Sequence, residues 1–291
     1  MEYFTKSIGD NGAKATFYLQ RPNTEIDSTR KYPVVVVVPG GAYFWTSWRE
    51  MEPVALEFLG KGYSCVVLEY ATEGRDFYTK NFDPTKEVVS AFPKPLVDLA
   101  KTLALLRKNA TSWSLDPNKL NLVGFSAGGN LIGQLGVYWD TAWLEEAVGQ
   151  KRSRYRPNSL CVAYGATLMA AQPLLKGFEQ IDHATLGLDK SQARIELANI
   201  LDKINPKTPP TFIWHTTEDA IVPVKTALQL GLNLEENGVS YEMHIYQKGP
   251  HGLALADKRT DGSKTGARSE VQVATWTELY RNWLVQNDLG L

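Results

Sequence analysis

Short apolar runs alternate along the chain with stretches whose apolar residues recur at helical spacing. The clearest run is five consecutive valines at residues 34–38, which is typical of a strand buried on both faces. Further strands are predicted at residues 63–70, 120–124, 160–164, 211–214 and 241–246, and an edge strand at residues 15–20. Strands that alternate with helices predict an α/β fold with a mostly parallel central sheet and helices on both faces.

Amphipathic patterns predict the helices between these strands. Leu96, Leu99 and Leu103 recur at helical spacing, and Pro95 suits the first turn of a helix. The other helices are predicted at residues 53–61, 223–238 and 273–284. The last of them could pack a second copy of the chain into a homo-oligomer, but its apolar stripe favours a position against the core.

Three segments do not follow this alternation. Residues 72–94 are rich in Phe and Pro, and residues 166–205 are predicted to be partly helical. Because long insertions in compact domains are often lids or binding loops, both are predicted to be lid segments on a single domain spanning residues 1–291. The third segment ends in a basic run at residues 151–156, which is expected to be a solvated face.

Composition excludes several classes of protein. The 291 residues include 31 Lys plus Arg and 32 Asp plus Glu, without the basic surplus of a nucleic-acid-binding protein. Cys65 and Cys161 lie in separate apolar runs, which favours buried free thiols over a disulfide framework or a metal site. The longest apolar run is too short to cross a membrane, and the first residues lack a signal-peptide pattern. We therefore expect a cytoplasmic protein with no membrane partner.

The strongest local signal is the sequence Gly-Phe-Ser-Ala-Gly at residues 124–128, directly after a predicted strand. A serine in a tight turn from strand to helix is exposed at the carboxyl edge of the sheet, and small neighbours permit this strained turn. The helix that begins there also points backbone N–H groups at an anion formed beside the serine. The pattern predicts Ser126 as a nucleophile, with a chance match in a Gly-rich turn as the alternative.

A nucleophilic serine needs a base, and the chain has four histidines. His244 lies inside a predicted strand, which favours a packed or edge side chain, and His183 lies in the irregular insertion, in a lid or at the surface. His215 ends a predicted strand before the expected position of the acid. His251 lies in a Gly- and Pro-containing loop after the last predicted strand, so it is the predicted base.

The acid that orients this imidazole should follow the preceding strand. Asp219 lies at the tip of the loop between the strand at residues 211–214 and a helix that begins near Pro223, so its carboxylate can face the sheet edge. Glu218 is the alternative acid, and an acidic residue before a helix could instead be an N-terminal cap. Asp219 is the predicted choice.

Backbone donors for a tetrahedral oxyanion are predicted next to the valine run. The sequence Pro-Gly-Gly-Ala-Tyr at residues 39–43 turns at the same edge of the sheet, and its glycines let N–H groups approach a ligand closely. The amides of Gly41, Ala42 and Ala127 are the predicted donors, and an ordinary β-turn is the alternative.

Bulky aromatic residues accompany these motifs. Tyr43 and Trp45 follow the Gly-Gly turn and Phe125 precedes Ser126, so these three side chains are predicted to contact the substrate. Such rings would narrow an acyl pocket or stack on a sugar. Packing of lid residues against the core explains the aromatic residues of this region equally well.

The turn at Ser126 and the chain order Ser126, Asp219, His251 resemble the α/β hydrolases, over roughly residues 30–290. Within that superfamily the chain is similar to the acetyl esterases and acetyl-xylan esterases related to hormone-sensitive lipase, although residues 39–42 read Pro-Gly-Gly-Ala in place of His-Gly-Gly-Gly. The resemblance implies a serine carboxylesterase for small-molecule esters with short, acetyl-like acyl groups, such as acetylated sugars. It also implies that neither a metal nor an organic cofactor takes part.

Two other functions fit the same residues. An arylformamidase or a small peptidase-like enzyme would use the same triad on an amide, so a substrate panel must distinguish it from an esterase. A ligand-binding protein on a hydrolase scaffold is the alternative without catalysis. Such proteins commonly lose the base, whereas His251 stands here with its serine and its acid.

Overall fold

The centre of the computed structural model, which describes residues 1–168 and 178–291, is an eight-stranded sheet. Its strands are β1 (Glu2–Ile8), β2 (Ala13–Leu19), β3 (Tyr32–Val38), β4 (Ser64–Glu69), β5 (Leu115–Phe125), β6 (Ser159–Ala163), β7 (Thr211–Thr216) and β8 (Tyr241–Tyr246). They lie in the order β1-β2-β4-β3-β5-β6-β7-β8. Every pairing from β4 to β8 is parallel, whereas β2 pairs antiparallel with β1 and β4.

The edge of the sheet differs from the prediction. The segment at residues 15–20 forms most of β2, which is paired on both sides, and β1 is the outer strand instead. Strand β1 was not predicted because it contains polar residues such as Thr5 and Lys6 and lacks a run of apolar residues. Most of its side chains are half-buried or exposed. The predicted central strands are confirmed, and β5 begins earlier than predicted, at Leu115.

Helices cover both faces of the sheet, as predicted. They are α1 (Glu52–Gly60), α2 (Arg75–Lys80), α3 (Lys94–Lys108), α4 (Ala127–Tyr138), α5 (Ala142–Val148), α6 (Phe178–Leu186), α7 (Gln192–Ala198), α8 (Lys225–Glu236) and α9 (Trp276–Gln286). A 3₁₀ turn at Trp48–Glu50 precedes α1. Within residues 1–168 and 178–291, none of these helices combines the length and the apolar character that a bilayer requires.

The valines of β3 show why both faces must be covered. Those at even positions belong to one hydrophobic cluster, together with buried side chains of α3 and α4. Those at odd positions belong to a second cluster, which includes Phe58 of α1 and Trp276 of α9. Since successive side chains of a strand point to opposite faces, an unbroken valine run requires helices above and below it. The final helix therefore packs against the core, as its apolar stripe predicts.

The two predicted lid segments pack against each other. Residues 72–94 contain α2 and place Phe82 against His183 of α6, with ring centres 5.4 Å apart. His183 is fully buried, and its Nε2 lies 2.9 Å from the carbonyl oxygen of Lys86. A surface position for His183 is therefore wrong, because aromatic rings of the first segment enclose it. Residues 169–177 of the second predicted lid lie outside the described residues.

Both cysteines are buried free thiols, as predicted. Cys65 lies in β4 and Cys161 in β6, and both side chains belong to the cluster on the α1 and α9 face of the sheet. Burial raises the pKa of each thiol above its ordinary value. Neither sulfur is therefore an activated nucleophile, because reactivity requires the thiolate.

Candidate active site

Ser126 occupies a sharp turn between the end of β5 and the start of α4. Its φ and ψ angles are 51° and −117°, a conformation that residues with a side chain rarely adopt. The turn is possible because the backbone approaches closely on both sides. A Cβ on Gly128 would lie 2.1 Å from the carbonyl oxygen of Val38, so only glycine fits at that position. The strain exposes the hydroxyl at the carboxyl edge of the sheet.

Three residues from separate turns form a continuous hydrogen-bonded chain at this edge. Oγ of Ser126 lies 2.8 Å from Nε2 of His251, and Nδ1 of His251 lies 2.7 Å from Oδ2 of Asp219. A carboxylate only accepts hydrogen bonds, so Nδ1 of His251 donates to Asp219, and in that tautomer Nε2 can accept a hydrogen bond from the serine hydroxyl. The structure thus brings together the three side chains that the sequence predicts for nucleophile, base and acid.

Asp219 is held through both of its carboxylate oxygens. Oδ1 accepts hydrogen bonds of 2.9 Å from the amides of Ile221 and Val222. Oδ2 also lies 3.2 Å from Nε2 of His215, a buried imidazole. Burial raises the pKa of Asp219, but hydrogen bonds from His215 and His251 outweigh it and hold this pKa well below its ordinary value. The carboxylate therefore stays ionised beside His251.

Glu218, the alternative acid, has a different partner. Its carboxylate accepts a hydrogen bond of 3.0 Å from the amide of Gly249, two residues before His251. The carbonyl oxygen of Gly249 in turn accepts a 2.7 Å hydrogen bond from the hydroxyl of Thr216. Glu218 therefore fastens the start of the loop that carries the imidazole, whereas Asp219 contacts the imidazole itself.

The predicted oxyanion donors lie in the turn that follows β3. Gly41 and Ala42 adopt positive φ angles of 125° and 56°, and the Gly41 carbonyl accepts a hydrogen bond of 2.8 Å from the amide of Phe44. In the part of the chain that the structure describes, the amides of Gly41 and Ala42 donate to no protein acceptor. Ala127 is the first residue of α4, where helix geometry leaves the amide unpaired. The hydrogen bond from Phe44 to Gly41 also closes a β-turn, so both interpretations of this segment remain compatible with the structure.

Two of the three aromatic residues predicted to contact the substrate are buried instead. Tyr43 is 2% exposed and donates a 2.8 Å hydrogen bond to Asn130, and Phe125 is fully buried. The turn at Tyr43 and the last residue of β5 direct both rings into the core. Trp45 is half-buried, and the guanidinium carbon of Arg75 lies 4.9 Å from its ring centre. Of these three rings, that of Trp45 is the most accessible in the structure.

Sequence reasoning missed an acidic residue beside this site. Glu50 is 3% exposed and accepts a hydrogen bond of 2.8 Å from the amide of Gly40, next to the predicted oxyanion donors. The sequence around Glu50 shows only that this glutamate precedes a helix rich in apolar residues. Acidic residues in such positions are usually solvated, so burial of this one could not be read from its neighbours in the chain.

The chain is similar in sequence to a known family and to several known proteins. The model of the BD-FAE family matches residues 23–234, which include the turn after β3, Ser126 and Asp219. An endo-1,4-beta-xylanase B of Butyrivibrio fibrisolvens is 28% identical over 232 residues, 78% of this chain and 33% of that protein. An acetylxylan esterase of Xylanibacter ruminicola is 26% identical over 264 residues, 87% of this chain and 46% of that protein. The chain thus spans less than half the length of these two relatives.

Solved structures match the chain over nearly its whole length. The acetyl ester-xyloside bifunctional hydrolase of Caldicellulosiruptor lactoaceticus is 28% identical, with a TM-score of 0.76 over 96% of this chain and 90% of that one. The α/β hydrolase MGS-M1 from a deep-sea metagenome library is 27% identical, with a TM-score of 0.74 over 98% of this chain and 97% of that one. The carboxylesterase Cest-2923 of Lactobacillus plantarum is 23% identical, with a TM-score of 0.83 over 100% of this chain and 98% of that one. The fold is therefore the α/β-hydrolase fold, as the sequence predicts.

Proposed function

Because the chain belongs to the BD-FAE family and has the α/β-hydrolase fold, we propose that it is a carboxylic ester hydrolase with Ser126 as its nucleophile. The observation that carries the proposal is the chain of hydrogen bonds from Ser126 through His251 to Asp219, 2.8 and 2.7 Å long. A serine hydroxyl is un-ionised at neutral pH and needs such a base to attack an ester.

The first half of the reaction forms an acyl-enzyme. Oγ of Ser126 attacks the ester carbonyl carbon while Nε2 of His251 accepts the serine proton. Asp219 holds the Nδ1 side of the ring and stabilises the imidazolium that results. The amides of Gly41, Ala42 and Ala127 stabilise the negative charge on the carbonyl oxygen. The tetrahedral intermediate then collapses, and His251 protonates the leaving alcohol.

The second half of the reaction restores the free enzyme. His251 takes a proton from a water molecule, which attacks the acyl carbon and forms a second tetrahedral intermediate. The bond between the acyl carbon and Oγ of Ser126 breaks, and His251 returns the proton to that oxygen. The carboxylic acid product then leaves the site.

The proposed substrates are short acyl esters, with acetylated sugars as the leading class. Two similar proteins support this class by their names, an acetylxylan esterase and an acetyl ester-xyloside hydrolase. The half-buried ring of Trp45, which follows the oxyanion turn, offers an aromatic face of the kind that stacks on a sugar.

Hydrolysis of aryl esters with acyl chains from acetyl to decanoyl tests the proposal, with wild type compared with Ser126→Ala. Activity that is greatest for chains of about two to four carbons, and that the variant loses, supports a short-chain serine esterase. Acetylated xylan fragments then test the sugar class. A flat baseline from both folded proteins would refute the esterase proposal, and aryl formamides and peptides in the same panel would reveal an amide hydrolase.

A further inference from the structure

Glu50 lies behind the oxyanion turn and contacts two parts of the site. It belongs to the 3₁₀ turn before α1, and its side chain is almost completely buried. Oε2 accepts a hydrogen bond of 2.8 Å from the amide of Gly40, and Oε1 accepts one of 2.7 Å from the hydroxyl of Tyr164. Burial raises the pKa of Glu50, and the hydrogen bonds from Tyr164 and Gly40 oppose that rise. These two donors therefore supply hydrogen bonds to both side-chain oxygens of Glu50 inside the protein.

Tyr164 connects Glu50 to the loop that carries the base. Its hydroxyl accepts a 3.0 Å hydrogen bond from the amide of Ala254, three residues after His251. Its ring meets the His251 imidazole edge to face, with ring centres 5.0 Å apart and planes inclined by 71°. Any displacement of Tyr164 is therefore transmitted to the imidazole by direct contact.

Arg49, the neighbour of Glu50, contacts the same loop. Its guanidinium donates a 3.2 Å hydrogen bond to the carbonyl oxygen of Gly252, the residue after His251. Two adjacent side chains of one 3₁₀ turn thus hold the oxyanion turn on one side and the base loop on the other. This short segment therefore links the two loops that flank Ser126.

We propose that Glu50 is a positioning residue that sets the distance between the oxyanion donors and His251. The inference rests on the proposed function, because it assigns Glu50 a role in activating the same nucleophile. Gly40 is the residue before the predicted donors Gly41 and Ala42, so the Gly40–Glu50 hydrogen bond orients the backbone from which they project. Through Tyr164 the same carboxylate keeps the imidazole within reach of Ser126.

The role requires a group that accepts two hydrogen bonds at once. The amide of a glutamine has one oxygen acceptor, which could still bind the amide of Gly40. Its NH₂ group would then face Tyr164, whose hydroxyl hydrogen would lose its acceptor inside the protein. Glu50→Gln therefore keeps the size of the side chain but breaks the connection between the two loops.

The test measures the rate at which diethyl fluorophosphate labels Ser126, followed by mass spectrometry and fluoride release. In this reaction an oxygen–phosphorus bond forms, the phosphorus–fluorine bond breaks, and His251 takes the serine proton. The variants are Glu50→Gln, Tyr164→Phe and a control, Asp98→Asn. Asp98 is also a buried carboxylate, at 2% exposure, but its side-chain partner is Asn11, outside the site. Melting temperature is recorded for every variant.

We expect Glu50→Gln to lower the labelling rate by about 10- to 100-fold and Tyr164→Phe to lower it in the same direction. The control should change the melting temperature while its labelling rate stays within about twofold of wild type. With 4-nitrophenyl acetate, kcat of Glu50→Gln should fall with little change in KM, because the positioned groups act in the transition state. A general loss of folding would instead lower the rates of all three variants in step with melting temperature.

A wild-type rate in folded Glu50→Gln overturns the inference. If that variant does not fold, Tyr164→Phe decides, since it breaks the same hydrogen bond from the other end. If the wild-type protein is labelled at Ser126 but hydrolyses no ester, only the proposed function is refuted. The labelling rates of the variants then still test the role of Glu50. Wild type that is not labelled would overturn both.

Discussion

Gly40 lies so close to Ser126 that a Cβ on the glycine would come within 2.7 Å of the serine Cβ. The same added atom would lie 2.8 Å from the carbonyl oxygen of Phe125. The oxyanion turn and the nucleophile turn are thus in backbone contact, with no layer of side chains between them. Their separation is therefore sensitive to the smallest possible substitution.

Gly40→Ala should separate these two turns. The added methyl group would meet the Cβ of Ser126, the carbonyl oxygen of Phe125 and Oε2 of Glu50, so the oxyanion turn must move to accommodate it. We expect kcat/KM for an aryl acetate to fall on the order of 100-fold while the protein remains folded. Gly60→Ala is the matched control, since a Cβ there meets nothing within 4 Å. Equal activity of the two variants would contradict the prediction.

Asp219→Asn should abolish most of the activity, while Glu218→Gln should not. Asparagine can present its NH₂ group to Nδ1 of His251 and so favour the wrong imidazole tautomer, for which we expect a loss on the order of 10⁴-fold in kcat. A glutamine oxygen at position 218 can still accept the amide of Gly249, so that variant should stay within about tenfold of wild type. Steady-state kinetics on an aryl acetate compares the two. The reverse order would reassign the acid to Glu218.

Replacement of Ser126 should reveal the strain in the nucleophile turn. Both Ser126→Gly and Ser126→Ala remove the hydroxyl, but only glycine relieves the φ angle of 51°. We expect the free energy of unfolding of the glycine variant to exceed that of the alanine variant by about 1 kcal/mol. Urea denaturation at neutral pH measures the difference. A more stable alanine variant would mean that the surrounding structure does not hold the turn in a strained state.

The buried carboxyl of Asp98 should make stability depend on pH between its unfolded and folded pKa values. Burial raises the pKa of Asp98 to about 6, whereas an unfolded Asp titrates near about 4. Between these two pKa values the folded protein binds the proton more tightly than the unfolded chain does. Protonation of Asp98 therefore contributes to the free energy of unfolding in full below about pH 4, and this contribution is lost as pH rises through about 6. A shift of about two pKa units corresponds to about 3 kcal/mol.

Asp98→Asn removes this titration. Its unfolding free energy, measured in urea at pH 4.5 and pH 7, should change less over this interval than that of wild type, because the neutral amide carries no proton to lose. Parallel pH dependence of the two proteins would show that the carboxyl is not desolvated as the structure indicates.

The separate pieces of the candidate site could be predicted because each depends on a short stretch of chain. The Gly-Phe-Ser-Ala-Gly turn, the Pro-Gly-Gly-Ala turn and the loops that carry Asp219 and His251 all follow strands that their own apolar residues define. Carboxyl ends of parallel strands meet at one edge of a sheet, so a parallel sheet alone implies that these turns are neighbours. The meeting of Ser126 with His251 follows from that geometry.

The directions of individual side chains could not be predicted in the same way. Tyr43 and Phe125 are aromatic residues beside the site, yet both rings point into the core. The sequence predicts an edge strand at residues 15–20, but in the structure β1 pairs with the side of β2 that would otherwise be free. An apolar residue carries the same local signal whether it lines a pocket or fills the interior, and the packing partners that decide between them are remote in sequence.

The sequence by itself determined the alternation of the central strands with helices, the covering of both sheet faces and the turns at which chemical groups appear, because periodicity and turn composition act over a few residues. Only the tertiary structure decided that Glu50 is buried between two loops, that Asp219 hydrogen-bonds His251 and lies beside the buried His215, and that Glu218 binds Gly249 instead. These are contacts between segments far apart in the chain. Whether a charge is buried, and what compensates it, depends on the elements that pack around it and not on its neighbours in sequence.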